Sequence, residues 1–172
     1  MRIEPASNAH HESLIDLLCE LHTYYNEGSV ASREIVREHL LDNLLGPQSP
    51  HRLIVAVSDS DTVAGLAALT LAYSLVEPAP NRRRHCQLKE LYVLSSERSK
   101  GVGAALMLGV ARFALENGCH RIDWPVKASN LGGIAFYEGL GAERVAERLS
   151  YRLTEPGIRQ LAGLGSEASR GG

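Results

Sequence analysis

The sequence predicts an α/β (α+β) fold: a mixed, mostly antiparallel sheet of six to seven strands with about four helices. Three observations carry this expectation. Stretches of strand and helix periodicity run in the order β α α β β β α β α β β. Two strand candidates flank the turn Asp59-Ser60-Asp61 as an antiparallel pair. Between Leu88 and Asn117 a strand, a turn with two glycines and a long apolar helix follow one another directly.

The elements follow in order. Met1 to Pro5 is a short strand candidate. Asn8 is the N-cap candidate of a first helix, Ala9 to Asn26, with Leu14, Leu17, Leu18, Leu21 and Tyr25 on its apolar side. Gly28 ends it. Ser32 caps a second helix, Arg33 to Leu45, with Ile35, Val36, Leu40 and Leu44 facing inward and Gly46 as its stop. Pro47 and Pro50 flank a loop. Arg52 to Ser58 and Thr62 to Ala72 form the antiparallel pair, with Gly65 a bulge candidate. Glu77 to His85, with its two prolines and Arg82-Arg83-Arg84, reads as a solvated loop. Leu88 to Leu94 is a strand. Gly101 to Asn117 is a helix, with Val102, Leu106, Val110 and Phe113 on one face and Gly118 closing it. His120 to Val126 reads as a strand, Asn130 to Gly139 as a short helix, and Glu143–Val145 and Leu149–Leu153 as closing strands. A Gly-rich end follows, with one helical turn around Ile158 to Ala162. Residues 1–155 read as a single domain and 156–172 as a C-terminal tail.

Composition excludes several classes. With 172 residues, 44% of them apolar and 22% charged, the chain is long enough to bury a core. A formal net charge of −2 argues against nucleic acid, whose binding rests on many basic contacts. No apolar run reaches the roughly 18 residues of a membrane span, and no signal-peptide core stands at the start. Cys19, Cys86 and Cys119 are odd in number and read as reduced thiols of a cytoplasmic protein. No spacing suits a metal. His10 and His11 are adjacent, so on a helix they point about 100° apart.

The stretch Arg98-Ser99-Lys100-Gly101-Val102-Gly103 is an anion-binding device. The first N–H groups of a helix have no intrahelical partner and carry the positive end of the helix dipole. Glycines let a ligand reach that backbone, and Arg98 and Lys100 add full charges. The nucleotide P-loop pattern is absent. The dinucleotide fingerprint fails because Leu106 stands at its third glycine. What fits is Arg-x-x-Gly-x-Gly after a strand ending Leu-Tyr-Val. A second block, Asn130-Leu-Gly-Gly-Ile-Ala-Phe-Tyr-Glu-Gly-Leu-Gly-Ala, follows about 30 residues later.

Together these blocks resemble the GCN5-related N-acetyltransferase (GNAT) superfamily, and within it the diamine and small-amine branch. The first resembles the family's [Gln/Arg]-x-x-Gly-x-[Gly/Ala] motif. The second matches at Asn130, Phe136, Tyr137, Gly141 and Ala142, with Gly133 where alanine is usual. The resemblance is strong from Gln87 to Ala142 and weak before Arg52. It implies a central parallel strand pair that splays apart, and Pro125, which cannot donate to a ladder, suits that splay.

The resemblance implies acetyl-CoA as cosubstrate, no metal, a small-molecule amine as acceptor, and a homodimer. Arg98, Ser99, Lys100, Gly101, Val102, Gly103 and Ala104 would hold the pyrophosphate, mostly through backbone. Leu91, Tyr92 and Val93 would pair with the pantetheine amides as an added strand does. Asn130 and Phe136 complete the cofactor set. Tyr137 is the acid candidate, since a phenol of ordinary pKa near 10 suits a leaving thiolate. Glu90 is the base candidate, sharing a strand face with Tyr92 while Lys89 and Leu91 share the other. Polyamine enzymes of the branch carry two adjacent acids on this strand. Lys89-Glu90 departs from that, which disfavours polycations and leaves smaller amines, amino acids or a peptide amine open. Two further readings are a protein or peptide acceptor, and a non-catalytic acyl-CoA-binding regulatory module.

Overall fold

The computed structural model describes residues 1–164. Contacts divide the chain into two compact units, Met1–Asn130 and Leu131–Gly172. The first unit is built on a five-stranded sheet in sequence order: β1 (Arg2–Pro5), β2 (Arg52–Val57), β3 (Val63–Tyr73), β4 (Arg84–Val93) and β5 (Ile122–Asp123). β1 to β4 are antiparallel neighbours, and β5 lies parallel to β4. Helices cover both faces, so β3 is buried continuously from Val63 to Leu69. Strand alternation sends Val55 and Val57 to one face and Ile54 and Ala56 to the other. On the first face pack α1 (His11–Tyr25) and α2 (Arg33–Glu38), through Leu14, Ile15, Leu17 and Val36. On the second packs α3 (Val102–Glu116), through Val102, Leu106, Val110 and Ala114.

Close approach of α3 to the sheet depends on small residues. A Cβ at Gly65 would stand 2.9 Å from the Tyr92 carbonyl oxygen, 3.0 Å from Leu106 Cδ1 and 3.2 Å from Val102 Cγ1. The first neighbour is backbone and cannot rotate away. Gly65→Val should therefore destabilise the protein by about 1–3 kcal/mol, read as a lower denaturant midpoint at unchanged slope. The β2–β3 register also shifts here, from Ala56↔Gly65 to Val57↔Val63, so the irregularity foreseen at Gly65 is present, with Ala64 as the extra residue.

Several expectations are corrected. Asn8 is not the first cap: Ser7 caps a 3-10 turn, Asn8–His10, and its N–H donates to His10 Nδ1 at 3.0 Å. Tyr25 does not join the apolar side of α1, and Ile35 is 65% exposed. Val36 and Leu40 already form the inward row of α2 and of the π-helical segment His39–Leu44 that continues it, which turns Ile35 outward. β4 starts at Arg84, inside the expected loop, because Arg84 pairs with Tyr73. Its guanidinium lies 5.5 Å from the Tyr73 ring centroid and donates to the Asn117 carbonyl at 2.8 Å, so this arginine is structural. The strand expected from His120 to Val126 shrinks to Ile122–Asp123, since Pro125 offers no N–H to extend it.

In the second unit, α4 (Leu131–Gly139) and α5 (Glu155–Leu161) form, the latter longer than the single turn expected. Residues 143–145 and 149–153 form no strand. Extended apolar alternation becomes a strand only where a partner edge completes its hydrogen bonds, and no such ladder exists for them among the described residues. The described sheet therefore has five strands rather than six or seven. The end of the expected tail, from 165 onward, lies outside the described residues.

Candidate active site

A break in the β3–β4 ladder organises the site. Pairing passes from Ala68↔Glu90 to Leu69↔Leu88, leaving Lys89 as the extra residue of a β-bulge. The bulge shifts side-chain parity. Cys86 and Leu88 pack under α3, and beyond the bulge so do Leu91 and Val93, while Tyr92 turns to the α1 side. Lys89 stands exposed at the bulge rather than sharing an inner face with Leu91.

Glu90, half-buried, accepts a hydrogen bond from the Tyr25 hydroxyl at 3.3 Å. Burial pushes its carboxyl above the ordinary range, an effect partly offset by the Tyr25 hydroxyl and the Leu91 N–H. A raised pKa suits a base acting near neutrality. A group acting as base must be ionised, so a rate that depends on Glu90 would rise as pH passes that pKa. Tyr25→Phe removes a donor that favours the carboxylate. The acid limb of the kcat/KM profile should move to higher pH in this variant, and a limb at or below the wild-type position contradicts the role of Tyr25.

Next to Glu90, Tyr92 and Glu20 tie α1 to the end of β4. The buried Tyr92 hydroxyl donates to Glu20 Oε1 at 2.9 Å, and the Ser95 N–H donates to the same oxygen at 2.8 Å. Burial and the Glu20 partner push the Tyr92 phenol up to about 12. For Glu20, burial is outweighed by the Ser95 and Tyr92 donors and by Arg98, leaving it below its usual value. Arg98 lies over the Tyr92 and Tyr24 rings, at 5.3 and 5.6 Å from their centroids, and its Nε donates to the Val93 carbonyl at 3.1 Å. The side chain expected at a phosphate thus rests on tyrosines, while its backbone leads into the turn.

That turn has the shape its glycines forecast. Ser99 and Gly101 adopt φ of +60° and +80°, and a Cβ at Gly101 would meet nothing within 4 Å. Gly101 is the N-cap of α3 and offers no capping side chain. The N–H groups of Val102, Gly103 and Ala104 are left for an outside acceptor, in the manner of an anion-binding nest. Lys100 pairs with Glu97 at 3.1 Å at the surface.

β5 pairs with β4 only at Cys86 and Gln87. Beyond this point, through Leu91, Tyr92 and Val93, that edge of β4 carries no strand among the described residues. An unpaired edge beside a ring of free helix N–H groups fits a ligand with amides along its length and phosphates at its end. The first unit thus brings together Glu90, the open edge and the turn. Asn130 closes this unit, its N–H donating to the Lys127 carbonyl at 2.9 Å. Phe136 and Tyr137 belong to the second unit, half-buried on α4 with ring centroids 5.1 Å apart. Among the described residues no His, Cys, Asp and Glu cluster suits a metal, and no helix is long and apolar enough to cross a membrane.

Tyr24 and Tyr25 are the residues that sequence reading missed. Their helical spacing put Tyr25 with the leucines. The available signal was a pair of phenols at the C-terminal end of an otherwise leucine-lined helix.

The acetyltransferase (GNAT) family pattern matches residues 12–142. A thialysine N-epsilon-acetyltransferase of Mus musculus is 35% identical over 88 residues, covering 46% of this chain and 49% of that protein. An L-ornithine N5-acetyltransferase of Arabidopsis thaliana is 31% identical over 74 residues, covering 43% and 32%. The chain therefore spans about half the length, or less, of these curated relatives. Among solved structures, an integron cassette protein from the mobile metagenome of V. cholerae superimposes with a TM-score of 0.82 at 31% identity, covering 94% of this chain and 96% of that one. By fold, by its strand, glycine turn and helix, and by this match over most of its length, the chain belongs to the acetyltransferase (GNAT) family.

Proposed function

We propose that this protein transfers the acetyl group of acetyl-CoA to a primary amine of a small molecule, by direct attack through a tetrahedral intermediate. The observation that carries the reading is Glu90: a half-buried carboxylate with a raised pKa, next to the open edge of β4. The free N–H groups at the start of α3 hold the pyrophosphate, mostly through the backbone of the turn at residues 98–104. Leu91, Tyr92 and Val93 hold the pantetheine arm, and Asn130 and Phe136 complete that set. Glu90 takes a proton from the acceptor's ammonium, directly or through a water, and the neutral amine so formed attacks the thioester carbonyl. Tyr137 returns a proton to the leaving thiolate. No metal enters the chemistry we propose.

An amino acid with a side-chain amine is the acceptor class best supported. The names of the mouse and plant relatives both specify such a nitrogen. Lys89, exposed at the bulge, disfavours longer polycations. A panel of ornithine, lysine analogues, spermidine, aminoglycosides and N-terminal peptides, with acetylated products identified by mass spectrometry, tests the assignment. Highest kcat/KM on the short amino acids supports it. Turnover confined to peptides would overturn it in favour of a protein acceptor.

A further inference from the structure

The side of β4 that carries Glu90 already holds an alkylammonium group of the protein itself. Lys127, in the segment that follows β5, places Nζ 5.0 Å from the centroid of the Tyr25 ring. The hydroxyl of that ring is the one donated to Glu90. Tyr24 stands edge-on to Tyr25 with centroids 5.2 Å apart, and extends the aromatic wall to Tyr92 at 5.8 Å. An aromatic face attracts a cation through its quadrupole, and a neighbouring carboxylate adds charge and hydrogen-bond acceptors. The Tyr25 face, its ring oriented by the hydroxyl's bond to Glu90, therefore forms a receptor for an alkylammonium.

The behaviour of the other cations sharpens this. Lys100, Arg33, Arg37, Arg121 and Arg159 each sit on a carboxylate, and Arg84 and Arg98, which lie over tyrosines, also donate to backbone carbonyls. Lys127 pairs with none among the described residues, and rests on the tyrosine instead. It is exposed and its contact is a single ring face, so another ammonium can replace it at little cost.

We propose that Lys127 occupies, in the free protein, the subsite that receives the acceptor's ammonium, and that the acceptor binds by displacing it. Lys127 is then a specificity-determining residue. It competes with every cationic acceptor and raises the concentration each needs, while neutral molecules gain nothing by entering. The identity of the displacing group as an acceptor rests on the acetyl-transfer reading; the cation receptor itself does not.

Butyltrimethylammonium is a suitable probe, because a quaternary nitrogen cannot be acetylated. Its dissociation constant, read from chemical-shift titration of the tyrosine ring protons, should fall about 2–5-fold in Lys127→Met, the gain expected from removing one exposed cation–π competitor. Methionine keeps the apolar stem, so lost packing does not confound the result. Tyr25→Leu should weaken the same binding. The acceptor KM of Lys127→Met should fall by a similar factor. An unchanged or larger dissociation constant in Lys127→Met overturns the proposal, even if acetylation proceeds. Tighter probe binding with no amine acetylated by the wild type leaves the receptor standing and removes only the acetyl-transfer reading.

Discussion

Glu90→Gln is expected to lower kcat/KM by about 10²–10⁴-fold and to remove the acid limb of its pH profile. The amide keeps the size of the side chain and can still accept from Tyr25, but it cannot take a proton. The fold should survive, because burial holds the carboxyl above its usual range and so disfavours its ionised form. Removing a charge that the folded state disfavours does not weaken the fold near neutral pH. Loss of activity at an unchanged melting temperature therefore isolates the chemistry. A variant that keeps both its rate and its acid limb would show that Glu90 is a structural carboxylate.

Tyr137→Phe is expected to lower kcat by about 10²-fold or more, with the dissociation constant of acetyl-CoA changed far less. The substitution removes one oxygen and keeps the ring that packs beside Phe136 on α4. A proton needed only as the thiolate leaves is felt in turnover and not in ground-state binding. Unchanged turnover would remove Tyr137 from the mechanism. A loss confined to acetyl-CoA affinity would make it a binding residue.

The strand, turn and helix from Leu88 to Glu116 were legible because local chemistry dictates them. Gly101 at φ +80° is a position that glycine occupies without strain, and Val102, Leu106 and Val110 write the buried face of α3 at helical spacing. Glu90 was legible as a candidate but its surroundings were not. The bulge at Lys89 is a property of the register between β3 and β4, and neither strand alone encodes it. Tyr25 shows the same limit. Periodicity cannot separate a phenol that packs from one that points at a carboxylate on a distant strand. Arg84 read as part of a solvated run, yet its fate was set by Tyr73 and Asn117 across the sheet. The closing segments 143–145 and 149–153 carry strand-like alternation, but a strand requires an edge that no local pattern supplies.

On the proposed reading, the β4 edge, the α3 turn and Glu90 form a working acetyl-transfer site rather than a binding module. Thiol release from acetyl-CoA, followed with and without ornithine or a lysine analogue, tests it most directly. Release that depends on the amine, saturates with it and matches the acetylated product mole for mole is the predicted result. Tight binding of acetyl-CoA with no amine-dependent release, across the same acceptors and pH range, would contradict it and leave a non-catalytic acyl-CoA-binding protein.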